Sequence, residues 1–212
     1  MIDKWLSKTK FNLFLEKMVR KLLLDKISAN KMTILALVIG LLSALSIFLS
    51  RILIYEIPFI VFAAILMFIS FFFDALDGTL ARLKQPTVFG GILDIFCDRT
   101  VEVFIIISII STKPLELMWP GIFSLGSIVL CITMFLLVGS AIEVESLEET
   151  KKVIYYRHGL MERSETFFFL FLMTVVIPFR TILLWIFSIL VLITALLRLK
   201  DAFRILDVDE KN

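Results

Sequence analysis

Residues 74–98 read DALDGTLARLKQPTVFGGILDIFCD. Asp74, Asp77, Asp94 and Asp98 stand inside two stretches that are otherwise apolar. On helices, the three-residue step from Asp74 to Asp77 and the four-residue step from Asp94 to Asp98 put each pair on one face. A short loop joins the two stretches, so the pairs can face each other across a helical hairpin. A charge at the centre of a membrane helix costs at least ~2.5 kcal/mol. Four carboxylates at such depth are tolerable only if something cationic binds between them. Oxygen ligands in this number point to a divalent metal site.

The rest of the chain supplies the membrane context. Of its 212 residues 59% are hydrophobic, and the mean hydropathy is +0.98, both too high for an ordinary soluble domain. The expected fold is an all-α integral membrane protein. A span needs about 20 apolar residues, and six transmembrane helices are expected, over 32–50, 57–80, 88–111, 118–142, 165–179 and 181–199. The fifth is short and ends at Pro178. Cys97 and Cys131 fall inside spans and read as buried free thiols rather than a disulfide framework. No cleavable signal peptide is evident, because about thirty mostly amphipathic residues precede the first apolar stretch.

Residues 1–30 form the expected first unit, an N-terminal interfacial amphipathic segment. It mixes Trp5, Leu6, Phe11, Leu15, Val19 and Leu22 with lysines, the pattern of a helix lying on an anionic leaflet; a helix packed on a partner is the alternative. Residues 31–212 form the second unit, the membrane domain. Lys and Arg collect before the first span (Lys4, Lys8, Lys10, Lys17, Arg20, Lys21, Lys26, Lys31), between spans two and three (Arg82, Lys84), between four and five (Lys151, Lys152, Arg157, Arg163) and after the sixth (Arg198, Lys200, Arg204, Lys211). The alternate loops carry only Arg51, Lys113 and Arg180. The positive-inside rule then places both termini, and the aspartate-bearing turn, on the cytoplasmic side.

The chemistry open to these residues is attack of a hydroxyl on phosphorus. Asp74, Asp77 and Asp94 are suited to one or two Mg²⁺ or Mn²⁺ ions, which neutralise a pyrophosphate and stabilise a leaving phosphate. Gly78 allows close approach of backbone or ligand, and Ala81, one turn on from Asp77, keeps that face uncrowded. Arg82 has a planar fork suited to phosphate oxygens. Asp98, one turn beyond Asp94, is placed to accept a proton from an alcohol, with metal contact as a second role.

The spacing D-x-x-D-G-x-x-A-R, then G-x-x-x-D-x-x-x-D, carried here by Asp74, Asp77, Gly78, Ala81, Arg82, Gly90, Asp94 and Asp98, resembles the signature of the CDP-alcohol phosphotransferase family. Seven residues, Leu83 to Phe89, separate Arg82 from Gly90, where the family usually has eight. The resemblance implies transfer of a phosphatidyl or similar phospho-group from a CDP-linked donor to an alcohol, with release of CMP. It implies that Asp74, Asp77 and Asp94 ligate metal and that Asp98 is the general base and a further ligand. It implies that Gly78, Arg82 and Thr87 meet the CDP moiety, with Ala81 between them. A Pro-Asn-x-x-Thr stretch at the family's nucleotide pocket corresponds to Ala29-Asn30-Lys31-Met32-Thr33, so Asn30 and Thr33 are expected there, with Ala29 in place of proline. Six transmembrane helices, an N-terminal interfacial helix and a homodimer complete the implied fold. The resemblance covers residues 1 to about 110; beyond that it is one of topology.

Other groups admit two readings each. Glu102 continues the face of Asp98 and either meets an acceptor hydroxyl or pairs with Arg99. His158, the single histidine, is a solvated loop residue or an acceptor contact. Lys151, Lys152, Arg157 and Arg163 set topology or recognise an anionic group; Arg163 is the strongest of them, because Gly159 to Arg163 leads into span five and can turn into the site. Glu143, Glu145, Glu148 and Glu149 read as a solvated helix end, and Phe167 to Phe171 as lipid-facing or core. Arg82 and Arg99 are too few to neutralise four aspartates in a purely structural network. A divalent-cation transporter explains intramembrane carboxylates but not the ordered Gly78, Ala81 and Arg82.

The expected protein is therefore a membrane enzyme of phospholipid biosynthesis. It transfers a phosphatidyl group from CDP-diacylglycerol to a small alcohol or alcohol-phosphate acceptor. A CDP-choline or CDP-ethanolamine donor with a lipid acceptor is the alternative within the same chemistry. The bilayer and a second copy of the chain are expected partners; nucleic acid is not.

Overall fold

Membrane proteins must satisfy every backbone polar group internally, and this chain does so with helices. The computed structural model describes residues 10–22, 26–52, 56–84, 86–148, 161 and 163–209, with no strand among them. The helices are α1 (Lys10–Leu22), α2 (Ala29–Ile52), α3 (Glu56–Lys84), α4 (Val88–Thr112), α5 (Pro114–Glu148), α6 (Arg163–Val175) and α7 (Arg180–Asp209), with a 3₁₀ turn at Ile177–Phe179 between the last two. Each of the six expected apolar stretches coincides with one of α2 to α7. Four segments are long and apolar enough to cross a membrane: Ala29–Ile52, Glu56–Lys84, Pro114–Gly139 and Ile177–Phe203. Helix α4 has 25 residues, but Asp94, Asp98, Arg99 and Glu102 dilute its apolar run. Helix α6 has 13 residues and, at 1.5 Å per residue, reaches only about 20 Å.

Helix α2 packs against α3 and α4, α5 against α7, and α6 bridges α3, α4 and α7. The main core gathers Ala44 and Ile47 of α2, Ala63 and Met67 of α3, Ile105, Ile106 and Ile109 of α4, Leu117 and Ile128 of α5, Leu170 and Met173 of α6, and Leu184, Phe187 and Val191 of α7. A second, smaller cluster joins Leu15 and Val19 of α1 to Met32, Leu76 and Leu80. Helix α1 thus lays one apolar stripe on the end of α3, while Glu16 and Arg20, paired at 2.8 Å, face outward. Trp5 lies outside the described residues. Along α3 the large cluster takes Met67 and the small one Leu76 and Leu80, with Asp74 and Asp77 on either side of Leu76.

Hydroxyl groups join helices where apolar side chains give no directional contact. Ser43 donates to the Ala63 carbonyl (2.8 Å) and Ser70 to the Ala36 carbonyl (2.7 Å). Ser124 reaches the Leu184 carbonyl at 3.1 Å, and the Ser127 and Ser188 hydroxyls meet at 3.1 Å. Arg198 of α7 donates to the Cys131 carbonyl of α5 at 3.1 Å. Cys97 and Cys131 are free. The outward faces of α2 and α3 expose Ile34, Val38, Leu42, Leu45, Phe48, Val61, Phe62, Ile65 and Phe68. A contiguous apolar exterior of this kind is covered by lipid, which makes the chain an integral membrane protein.

Helix α6 stops where its sequence breaks. Pro178 cannot continue it, and its last carbonyls need donors. Arg180, 2% exposed, supplies them: Nε donates to Met173 O (2.8 Å) and Nη2 to Thr174 O (3.0 Å), while Nη1 reaches Thr112 Oγ1 of α4 (3.0 Å).

Candidate metal and nucleotide site

The α3–α4 turn creates the site. Thr87, extended at φ −107° and ψ 149°, is the N-cap of α4: its hydroxyl accepts from the Gly90 N–H at 3.0 Å, satisfying one of the helix's orphan donors. A Cβ on Gly90 would lie 2.9 Å from Thr87 Oγ1 and 3.2 Å from Asn30 Oδ1. Glycine is thus required for Asn30 of α2 to approach the start of α4. Three residues on from Asn30, buried Thr33 donates to Ala29 O at 3.1 Å and lies in hydrogen-bonding reach of Asp77. Asn30, Thr33, Asp77, Thr87 and Gly90 therefore converge.

Within α3, Gly78 and Arg82 are neighbours across one turn; a Cβ at Gly78 would stand 3.6 Å from Arg82 Nη1. The guanidinium donates to Thr79 Oγ1 at 3.1 Å and is exposed at the mouth of the site, with Ala81 half-buried beside it.

Deeper in, Asp74, Asp94 and Asp98 each offer a carboxylate oxygen, and the three lie within 4.8 Å of one another. Oxygens on opposite sides of Mg²⁺ are about 4.2 Å apart and on Ca²⁺ about 5 Å, so this group closes on a divalent ion with movements below an ångström. Asp77 stands outside the group. It is 3% exposed, and its buried Oδ2 has no hydrogen-bond partner, an arrangement that a nearby cation or donor would relieve. The residues present thus fit a divalent ion, with three aspartates converging and the fourth close by on α3.

Arg163, the first residue of α6, enters this cluster. Its Nη2 contacts Asp74 Oδ1 and lies 3.2 Å from Asp94 Oδ1 and 2.9 Å from Asp98 Oδ1. The sequence leaves Arg163 open between setting topology and recognising an anionic group; the structure sets it on the carboxylates themselves. Arg99 pairs with buried Glu102 at 2.5 Å, the pairing alternative of the two open for Glu102. Lys151, Lys152, Arg157 and His158 lie outside the described residues, as does the acidic side-chain run from Glu143 to Glu149.

Beneath the carboxylates is a cavity of ≈ 70 Å³ lined by Thr33, Ser70, Asp74, Cys97, Asp98, Glu102, Arg163 and Phe167, among others. It has room for several waters. Ser70, Cys97 and Phe167 carry no motif that announces them; they belong here only because α2, α3, α4 and α6 meet. A stacked pair, Phe71 and Phe167, with ring centroids 4.1 Å apart, closes the α3–α6 side. The Phe-rich run is thus partly core, while Phe168 is exposed.

Known proteins agree with this architecture. Two structures of the Mycobacterium tuberculosis phosphatidylinositol phosphate synthase PgsA1 share the fold. The one with CDP-DAG bound superimposes with a TM-score of 0.69 at 18% identity, covering 90% of this chain and 94% of that one. The one in complex with manganese and citrate gives 0.70 at 18% identity, over 89% and 88%. No curated protein matches the chain by sequence at a significant level. Residues 26–197, from just before α2 to the last turns of α7, match the CDP-alcohol phosphatidyltransferase family. The chain therefore belongs to the CDP-alcohol phosphatidyltransferase family and is a membrane transferase of that class.

Proposed function

We propose that this protein transfers the phosphatidyl group of CDP-diacylglycerol to a small alcohol or alcohol phosphate, releasing CMP. The observation that carries the reading is the convergence of Asp74, Asp94 and Asp98 from two helices within 4.8 Å, beside Gly78, Arg82 and the approach of Asn30 and Thr87 to Gly90. A PgsA1 structure contains CDP-DAG and another contains manganese, in keeping with such a donor and such an ion here.

Asp74, Asp94 and Asp98 would hold Mg²⁺ or Mn²⁺, with Asp77 adjoining. When bound, the ion supplies charge neutralisation at the pyrophosphate and at the departing phosphate. The chain's own residues do the rest. Asn30, Thr33, Ala81, Thr87 and the open surface at Gly78 shape the nucleotide pocket, and Arg82 meets phosphate oxygens. Asp98 takes the proton of the acceptor hydroxyl as its oxygen bonds to the phosphatidyl phosphorus and the bond to CMP breaks. Glu102 holds Arg99 one residue from Asp98. An apolar groove of ≈ 680 Å³ between α3 and α6, lined by Ile65, Phe68, Ile69 and Phe171 among others, begins five residues before Asp74, which suits a substrate with acyl chains.

The remaining features extend this reading. All of α2 to α7 cross or enter the bilayer, giving six spans, with Phe96, Phe104 and Ile107 of α4 facing outward and α6 short. Residues 1–30 form the interfacial unit and 31–212 the catalytic one. The basic loops hold both termini and the site on the cytoplasmic side, and two copies form a homodimer. The direct test is incubation of the purified protein with CDP-diacylglycerol, Mn²⁺ and a panel of alcohols and alcohol phosphates. CMP release with one acceptor, and a matching phospholipid, is the expected result; no CMP with any acceptor would overturn the proposal.

A further inference from the structure

The carboxylates that meet in the site already hold a cation of the chain's own. Nη2 of Arg163 touches Asp74, Asp94 and Asp98 at once, the same three residues whose oxygens lie within 4.8 Å of one another. The guanidinium nitrogen therefore stands among the carboxylates that would hold an ion. A metal ion and a guanidinium nitrogen on the same three residues would repel each other at close range, and both would compete for the same carboxylates. Arg163 is also able to leave. Its side chain keeps 34% of its surface exposed, against 11% for Asp74, and it projects from the first residue of α6 rather than from the packed middle of a helix.

We infer that Arg163 and the divalent ion are alternative occupants of one position, so that metal loading requires the guanidinium to swing off the aspartates. Arg163 is then a positioning residue with two effects. It neutralises the buried carboxylates in place of the ion, and it sets the metal affinity below what the aspartates alone would give. The inference rests on the metal reading proposed above.

The test measures metal binding rather than turnover. Free Mn²⁺ is followed by electron paramagnetic resonance during titration of the purified protein in detergent at pH 8, for wild type, Arg163→Gln and Arg163→Lys. Hydrogen bonds to charged groups are strong enough that removing the competitor should tighten Mn²⁺ binding by about tenfold or more in Arg163→Gln. Arg163→Lys, which keeps the charge, should stay nearer to wild type. Equal or weaker binding by Arg163→Gln overturns the exchange while leaving the metal site intact. Absence of Mn²⁺ binding in wild type and variant alike overturns the metal reading and the exchange with it. A second measurement needs no variant: phenylglyoxal modification of Arg163 in the wild-type protein, located by peptide mass spectrometry. Mn²⁺ should speed that modification several-fold by releasing the guanidinium; an unchanged or slower rate in Mn²⁺ counts against the exchange.

Discussion

A Cβ on Gly40 of α2 would stand 2.6 Å from Cγ2 and 2.8 Å from Cγ1 of Val101 on α4, and 3.0 Å from the Ser70 hydroxyl oxygen of α3. Three helices therefore meet with no room for a methyl group, three residues along α4 from Asp98. The obstructing atoms belong to a β-branched side chain with few rotamers to escape into. Gly40→Ala should cost about 1–3 kcal/mol and lower activity, because moving α4 moves Asp94 and Asp98. Val101→Ala in the same chain should restore much of the loss. Thermal midpoints of the two single variants and the double variant give the coupling directly; losses that merely add would show that the two positions do not press on each other.

Much of this arrangement is legible in the sequence, and its limits have physical causes. The spacing from Asp74 to Asp98 is local, and helical periodicity alone makes the two acidic faces visible. It does not show that Asp77 falls outside the three-carboxylate group, since a 100° step per residue lets Asp74 and Asp77 share a face without sharing a focus. Thr87 was legible as a site residue, but its role as N-cap of α4 depends on backbone angles. Arg163 was suspected from its place before span five; its contact with residues 65 to 89 positions earlier is tertiary information. The end of α6 was half visible in Pro178, whereas its cap, Arg180, read only as a loop charge.

Metal dependence follows from the carboxylate group. Activity should vanish in chelator and return with Mg²⁺ or Mn²⁺. Asp74→Asn or Asp94→Asn should abolish turnover in a protein that still elutes as a folded species, since each removes an anionic oxygen ligand. Undiminished CMP release in chelator would rule out the metal assignment.

Asp98 should separate chemistry from binding. General-base contributions are typically ~10²–10⁴-fold, so Asp98→Asn should lose at least that much turnover. It should keep CDP-diacylglycerol affinity within about tenfold, roughly 1.4 kcal/mol. Asp74→Asn should lose both. Donor affinity and CMP release measured in parallel decide the matter, and normal turnover by Asp98→Asn would move attention to Glu102.

Arg180 should matter for stability despite its distance from the carboxylates. Arg180→Met leaves the Met173 and Thr174 carbonyls without donors in an apolar setting, at about 1–3 kcal/mol each. The thermal midpoint should fall clearly, and activity with it, because α6 carries Arg163. A variant as stable as wild type would show that water or other donors replace the cap.

The charge distribution gives a topology test. A single cysteine introduced near Lys113 should react with an impermeant thiol reagent added to intact cells, in a background lacking Cys97 and Cys131. One near position 205 should react only after permeabilisation. The opposite pattern would put the site on the far side of the membrane from the proposed one.

The reach of Arg163 also has a meaning for how the protein is made. It follows Asp98 by 65 residues, so a ribosome emitting α3 and α4 delivers Asp74, Asp94 and Asp98 before the guanidinium that meets them exists. Buried carboxylates without a partner are costly, so that hairpin stays incomplete until a cation reaches it. Those three carboxylates meet this guanidinium only when α6 emerges, which ties the middle of the chain to its last quarter.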